Sequence, residues 1–249
     1  MSINIVVLVK QIIDIDQLKT DSSTGEPLTQ NIPLRVENLS KNAIEAAVQL
    51  KEKNGGKVTA IIFGTDKSNS AMKEAYAMGV DEGHIITGYK GNNPALTASV
   101  LSKKIKELGE VDCVILGNQS ADSYTGLLPG MLSRSLGFSL LGNGTGIEVD
   151  GDGFRIKRIL DEKDETIRAQ KPCIISVTQE INQPRLPPVL QIMAAGRKPI
   201  NVTAMDAQSF ETPEVLSNIA PKSERKRSIF EDMDKGIAEI SKVIRGEIK

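Results

Sequence analysis

The sequence predicts an α/β fold: an open, mostly parallel sheet with helices on both faces, plus an antiparallel hairpin and an extended C-terminal arm. Three observations carry this expectation. Nearly continuous β-branched runs recur at Ile3 to Val9 (INIVVLV), Val58 to Phe63 (VTAIIF), Val111 to Leu116 (VDCVIL) and Pro172 to Val177 (PCIISV), as in strands buried on both faces. Segments of helical spacing separate the early runs, which calls for a parallel sheet with right-handed crossovers. From Gly144 the pattern turns to strict alternation, and after Pro199 to polar, proline-punctuated chain.

The elements follow in order. Ile3 to Val9 is the first strand, and a polar loop with Asp21, Ser22, Ser23, Thr24, Gly25 and Pro27 comes after it. Ser40 is the expected N-cap of a helix over about Lys41 to Lys53, with Ala43, Ile44, Ala47, Val48 and Leu50 at helical spacing. Asn54, Gly55 and Gly56 end it, and Gly64 closes the second strand. Ser68 or Ser70 starts another helix, with Met72, Ala75, Tyr76 and Met78 on one side and Gly79 as its stop. His84 to Thr87 is a short strand, and Asn93 with Pro94 opens a helix reaching Leu108. Gly117 begins a polar turn after the next strand, and Leu127 to Leu136 has helical character. Gly146 to Glu148, Phe154 to Leu160 and Glu165 to Ala169 alternate like antiparallel strands, with Gly151 and Gly153 turning the first hairpin. Residues 201–223 show no strong period, whereas Ile229, Phe230, Met233, Ile237, Ile240, Val243 and Ile244 within 224–246 stand near helical spacing.

Composition narrows the function. A net charge of -1 removes the electrostatic case for nucleic acid or an acidic membrane surface, and the absence of Trp argues against a base-stacking platform. Cys113 and Cys173 each sit in an apolar run and read as buried free thiols, and one histidine, His84, makes no metal cluster. The first residues lack the basic region and long apolar stretch of a signal peptide, and no apolar run approaches ~18 residues, so a cytoplasmic protein without membrane insertion is expected. No G-x-x-x-x-G-K-[ST], G-x-G-x-x-G or G-x-S-x-G motif occurs where it would carry chemistry. Asp161, Glu162, Asp164 and Glu165 read as a solvated turn, so no catalytic residue is assigned.

In an open parallel sheet, ligands bind beyond the carboxyl ends of the strands. Four segments fall there: Lys10 to Asp14, the stretch before Ser40, Phe63 to Asp66, and Gly117 to Gly126. The last, GNQSADSYTG, is the richest. Gly117 permits a tight exit, Ser120, Ser123 and Thr125 carry hydroxyls, and helix-start amides face outward, an arrangement suited to a nucleotide phosphate. Asp122 either orders the loop or accepts from a ribose hydroxyl, and an ordinary Ser/Asp helix start is the competing reading. A second stretch, residues 182–199 (NQPRLPPVLQIMAAGRKP), is braced by Pro184, Pro187 and Pro188 yet apolar at Val189, Leu190, Ile192 and Met193. Such a loop packs back on its own domain or offers these side chains to another protein.

These residues resemble the small (beta) subunit family of electron transfer flavoproteins, including its FixA-like group. The likeness covers nearly all of residues 1–200: VLVKQIID, NAIEAAVQLKE, AMGVDEG, GNQSADSYTGLLP, IKRILDEKDETI followed by KPCIISV, and INQPR…IMAAGRKP. It implies an adenine nucleotide alpha-hydrolase-like fold and an electron carrier rather than an enzyme. A larger alpha subunit would hold most contacts to a shared FAD, and this chain would add a wall and bind AMP structurally. Acyl-CoA or other flavin dehydrogenases would supply electrons, and a quinone reductase or other acceptor would take them.

By position, the resemblance implies a cofactor site at Leu8, at Glu37, Asn38, Leu39 and Ser40, and at Phe63. The loop completes it with Gly117, Asn118, Gln119, Ser120, Ala121 and Asp122, then Ser123, Tyr124, Thr125, Gly126, Leu127 and Leu128. Ile15 and Leu39 fall where relatives place residues near the flavin ring. Residues 182–199 become a recognition loop for dehydrogenases, with Val189 at its tip beside Leu190, Arg185 and the Arg197–Lys198 pair framing it, and Ile192 and Met193 rooting it. Residues 1–200 would form the nucleotide-binding domain and 201–249 an arm and helix packing on the alpha subunit. Electron-bifurcating relatives resemble D-G-x-T-x-Q-V-G-P where this chain has DSYTGLLP, a departure that favours AMP over a second FAD. Two alternatives remain: a bifurcating variant, and a stand-alone nucleotide sensor resembling universal stress proteins. An ATP-using enzyme is disfavoured, since KQIID stands where a phosphate-gripping loop is required.

Overall fold

A computed structural model describes residues 2–91, 93–206, 214–221 and 228–247. The chain divides into two compact units, Met1–Leu18 with Thr29–Leu216, and Lys19–Leu28 with Ser217–Lys249. In chain order the first unit opens with strands β1 (Ile3–Leu8) and β2 (Gln11–Ile13). The second unit contributes β3 (Lys19–Thr20) and β4 (Pro27–Leu28). The first resumes with β5 (Leu34–Val36), α1 (Asn38–Asn54), β6 (Gly56–Gly64), α2 (Asn69–Ala77), β7 (Glu82–Thr87), α3 (Pro94–Glu107), β8 (Cys113–Gly117) and α4 (Leu128–Leu136). It continues through β9 (Ser139–Gly144), β10 (Gly146–Asp150), β11 (Gly153–Ile159), β12 (Asp164–Gln170), β13 (Cys173–Val177), α5 (Val189–Ala195) and β14 (Asn201–Ala204), and α6 (Met233–Glu247) belongs to the second unit.

The central sheet has seven parallel strands in the order β14-β7-β6-β1-β8-β13-β9. Alternation along β1 shows how it is buried. Ile3, Ile5 and Val7 enter one apolar cluster with Ala43, Ile44, Ala47 and Val48 of α1 and Met72 and Ala75 of α2. Val6 and Leu8 enter the opposite cluster with Val100, Leu101 and Ile105 of α3 and Leu132 of α4. Helices therefore cover both faces, as two-sided strand burial requires. The strand order reverses at β1, which lies between β6 and β8, so the open crevice falls at the carboxyl ends of β1 and β8.

Several local features differ from the sequence expectation. Helix α1 begins at Asn38 rather than Lys41, because Glu37 is the N-cap: its backbone is extended and its carboxylate accepts from Ser40 N at 2.9 Å. The Ser40 hydroxyl is committed elsewhere, accepting from Lys10 N at 3.0 Å. Strands β9 and β14 carry no clear sequence signal. Both are sheet edges, and the residues of β14 are all exposed, so neither shows a two-sided apolar run. The antiparallel piece is a three-stranded meander, β10-β11-β12, whose Phe154 and Ile156 join the α1 side of the core.

Cys113 and Cys173 are free, buried and in register on β8 and β13. Burial pushes the Cys173 thiol up to about 12 and the Cys113 thiol well above 9.0, which makes them poor nucleophiles. His84 is buried on β7 with Nε2 3.0 Å from Glu82 Oε1. Among the described residues no helix is long and apolar enough to cross a membrane.

In the second unit, β3 and β4 form a short antiparallel pair, and Ala220 N donates to Gly25 O at 2.8 Å. Helix α6 starts where Asp232 Oδ1 accepts from Asp234 N and Lys235 N. Its Ile237, Ile240, Val243 and Ile244 stay at least half exposed. The expected start of this helix, within 222–227, lies outside the described residues.

Candidate functional site at the strand ends

Three segments meet at the carboxyl ends of β1 and β8. Strand β2 pairs with β5 through Gln11 and Val36, and Glu37 N donates to Lys10 O at 2.9 Å, so the start of α1 is sewn to the exit of β1. Glu37 and Ser40 are buried there, while Asn38 is exposed and Leu39 half-buried. Gly117 ends β8 against this turn. A Cβ at position 117 would lie 2.7 Å from Leu39 Cβ and 3.1 Å from Gln119 O, so the approach needs glycine. Leu8 closes the crevice from β1 below, buried among the α3-side residues.

Polar contacts order the loop after Gly117. Lys10 Nζ donates to Asp122 Oδ1 at 2.7 Å and to Ser120 Oγ at 3.0 Å. The Ser120 hydroxyl donates to Asp122 Oδ1 at 2.7 Å and lies 3.0 Å from Ser123 Oγ. Of the two roles open to Asp122, loop ordering is therefore visible. Tyr124 N reaches back to Ser120 O at 2.8 Å, and Tyr124 and Gly126 take left-handed φ values of 50° and 62°. Asn118 ties the base of the loop to its neighbours, its amide nitrogen on Val177 O at 2.9 Å and its side chain on Asn143 Oδ1 at 3.2 Å. Helix α4 then starts from Leu127 without a side-chain cap; Pro129 has no N–H to offer, so the amides of Leu128 and Gly130 are those left open to an anion.

Of the sequence-derived positions, Leu8, Glu37 to Ser40 and Gly117 to Asp122 converge here. Gln119, Ser123, Tyr124, Thr125 and Leu127 are exposed along the outer rim, and Ala121 is half-buried. Phe63, at the end of β6, makes an edge-on contact with Tyr89 at 5.3 Å between centroids. Tyr89, which packs on Phe63, was not among the sequence-derived positions. Burial raises its hydroxyl above the ordinary 10.0, and the charge of Asp122 pushes in the same direction. It follows β7, whose carboxyl end was not among the four segments of the sequence reading. Lys10 is likewise more central than its place in the opening motif suggested. Beyond the crevice Ile15 is half-buried, and Arg35 NH1 lies 2.9 Å from both Asp14 and Asp16.

Residues 182–199 are partly helical. Pro188 is the extended N-cap and Val189–Ala195 form α5, so the prolines block helix before the turn and not within it. Val189 and Leu190 are 72% and 79% exposed and Leu186 93%. Ile192 and Met193 were expected to root the loop, but they are 53% and 60% exposed. Ala195 is the buried residue of α5, and it joins the cluster that also holds Met72 and Ala75 of α2. Arg185 does not reach outward: its guanidinium pairs with Glu45 and Glu52 of α1.

Comparison with known proteins places this arrangement. A family model described as the electron transfer flavoprotein domain matches residues 28–208. The chain is 30% identical over 239 residues to the electron transfer flavoprotein subunit beta of Thermoanaerobacterium thermosaccharolyticum, covering 91% of this chain and 92% of that one. It is 30% identical over 228 residues to the protein of the same name from Mycobacterium leprae, covering 88% and 86%. It is also 28% identical over 201 residues to the caffeyl-CoA reductase-Etf complex subunit CarD of Acetobacterium woodii, covering 80% and 77%.

Proposed function

The chain belongs to the electron transfer flavoprotein beta-subunit family, and on that premise we propose that it pairs with an alpha subunit to form a heterodimeric electron carrier. Electrons from acyl-CoA or other flavin dehydrogenases would reach an FAD shared with the alpha subunit and leave to a quinone reductase or another acceptor. The likeness to a subunit of a caffeyl-CoA reductase-Etf complex keeps CoA-ester reductases within the partner class. FAD, when bound, supplies the redox chemistry, and this chain supplies neither acid nor base.

The observation that carries the nucleotide reading is the convergence of Lys10, Glu37 to Ser40 and Gly117 to Asp122 where the strand order reverses. The donor set fits AMP. The uncapped amides of α4 with the Ser123 and Thr125 hydroxyls suit one phosphate, and the half-buried Leu39 and Phe63 offer apolar surface to a purine. Leu127 and Leu128 bring no polar side chain for the second phosphate of an FAD. Lys10 is engaged by Asp122 and Ser120, so it holds the loop in shape rather than standing free for a ligand. Residues 1–200 would then serve nucleotide binding. Residues 201–249 would serve the alpha subunit, to which α6 offers its half-exposed apolar side chains. Val189 and Leu190 would meet the dehydrogenase.

Co-expression with a candidate alpha subunit, followed by absorption spectroscopy and nucleotide mass analysis, tests the proposal. A yellow heterodimer with one FAD and one AMP supports it. Two FAD and no AMP would favour the bifurcating variant, and a colourless homo-oligomer holding ATP would overturn the carrier reading.

A further inference from the structure

The stretch around α5 is held at both stems by polar side chains. At the leading stem, Asn42 Nδ2 donates to Asn182 O at 2.9 Å, and Asn182 Nδ2 returns a bond to Asn42 O at 3.1 Å. Arg185 then grips two carboxylates. Its Nε and NH2 donate to the two oxygens of Glu45 at 2.8 and 3.1 Å, and NH1 and NH2 donate to those of Glu52 at 2.7 and 3.0 Å. The Arg185 backbone amide adds a bond to Glu45 at 3.1 Å, and Gln49 supports that carboxylate at 2.7 Å. Asn42, Glu45, Gln49 and Glu52 form one stripe of α1, successive members being three or four residues apart. At the trailing stem, Tyr76 OH donates to Pro199 O at 2.6 Å, and Lys198 Nζ donates to Val80 O at 2.8 Å while lying 5.0 Å from the Tyr76 ring centroid.

Between the stems, α5 has seven residues, too few to hold a helix in water without outside support. Ala195 is its buried contact with the core. The orientation of Leu186, Val189 and Leu190 therefore depends on the stems. Arg185 is the strongest member, since bidentate charged pairs combine energy with fixed geometry. It also separates two like charges: without it, a buried Glu45 and a half-exposed Glu52 face each other.

We infer that Arg185 is a positioning residue for donor docking, a strut between α1 and the α5 segment that sets the pose of Leu186, Val189 and Leu190 without touching the donor. The inference rests on the carrier reading above and adds to it the means by which the docking surface is kept in one conformation before contact. A pre-set surface lowers the ordering cost of each encounter, which suits a carrier that binds and releases repeatedly.

The test uses the intact alpha–beta complex, with a panel of acyl-CoA dehydrogenases as donors. Arg185→Ala raises the KM for the carrier about ten-fold with kcat within about two-fold, the pattern of lost preorganisation. Amide exchange across 189–195 accelerates in the same variant. Arg185→Lys, which keeps the charge without the fork, falls between. Arg185→Ala combined with Glu45→Gln recovers part of the loss by removing the repulsion. Leu190→Asp serves as the contact control, with impaired donor reduction but wild-type exchange at 189–195. An unchanged KM in Arg185→Ala alongside an impaired Leu190→Asp overturns the positioning role and leaves the carrier reading standing. Equal KM losses in the Lys and Ala variants with unchanged exchange mean that Arg185 touches the donor, and also overturn it. If no dehydrogenase reduces the wild-type complex, or if Leu190→Asp is harmless, the docking reading itself fails and the inference with it.

Discussion

At the carboxyl ends of β1 and β8 polar side chains turn toward one another, Lys10 onto Ser120 and Asp122, and Ser40 onto the backbone of Lys10. Around α5 the arrangement is reversed: polar side chains hold the stems, and Leu186, Val189 and Leu190 face solvent. The first pattern leaves a polar loop ordered by its own contacts beside the uncapped start of α4, the place proposed above for a nucleotide. The second leaves an apolar surface on a fixed support, suited to another protein. Both depend on α1, whose first turn caps the crevice and whose Asn42, Glu45 and Glu52 hold the leading stem.

Perturbing one region while reading out both tests whether they are separate. The largest effect is expected at Gly117→Val, where added carbon meets Leu39 and the Gln119 carbonyl. Overpacking of this kind costs about 2 kcal/mol, visible as a lower urea midpoint, and the shifted loop loses co-purifying AMP. Asp122→Ala is milder. The Lys10–Asp122 pair is about one-third exposed, so its loss costs about 0.5 kcal/mol, and the main readout is a lower AMP content with an unchanged donor KM.

Acid acts on the other region. Burial raises Glu45, but the hydrogen bonds from Arg185 outweigh it and leave the carboxyl below its ordinary 4.5; Glu52 is lowered chiefly by its Arg185 bonds. Folded values below the unfolded one mean that the clamp is complete above pH 4.5 and is lost as pH falls through the folded values. Slow exchange at 189–195 should therefore hold through neutral pH and fail only in acid, as exchange rates corrected for intrinsic pH dependence would report. The smallest effect belongs to His84, whose pKa is lowered by burial first and by Lys104 second. Its contribution is present above its ordinary 6.5 and declines as pH falls toward the lower folded value, so Tm should drop slightly there in wild type and not in His84→Gln.

The central strands were legible because burial on both faces writes itself as unbroken β-branched runs. Strands β9 and β14 were not, because an edge strand needs no such run. The tight turn after β8 was legible from Gly117, and the strand-end rule selected segments that do lie together in the structure, Lys10, Glu37 to Ser40 and Gly117 to Asp122. Glu37 as the α1 cap was missed because Ser is the stronger cap by type, and only tertiary structure shows Ser40 engaged with Lys10. Tyr89 and the Glu45–Arg185–Glu52 clamp join segments far apart in the chain, for which local pattern has no signal. The exposure of Ile192 and Met193 reflects the same limit: apolar spacing marks a face but not which surface covers it.

The most direct test of two separate jobs is the rate of flavin reduction by a donor dehydrogenase, measured by stopped-flow absorbance on the Val189→Ala complex with its FAD and AMP quantified in the same sample. Loss of one exposed apolar anchor predicts reduction slower by about ten-fold at low donor concentration, with nucleotide content as in wild type. Wild-type reduction kinetics, or a loss of AMP along with rate, would contradict the account.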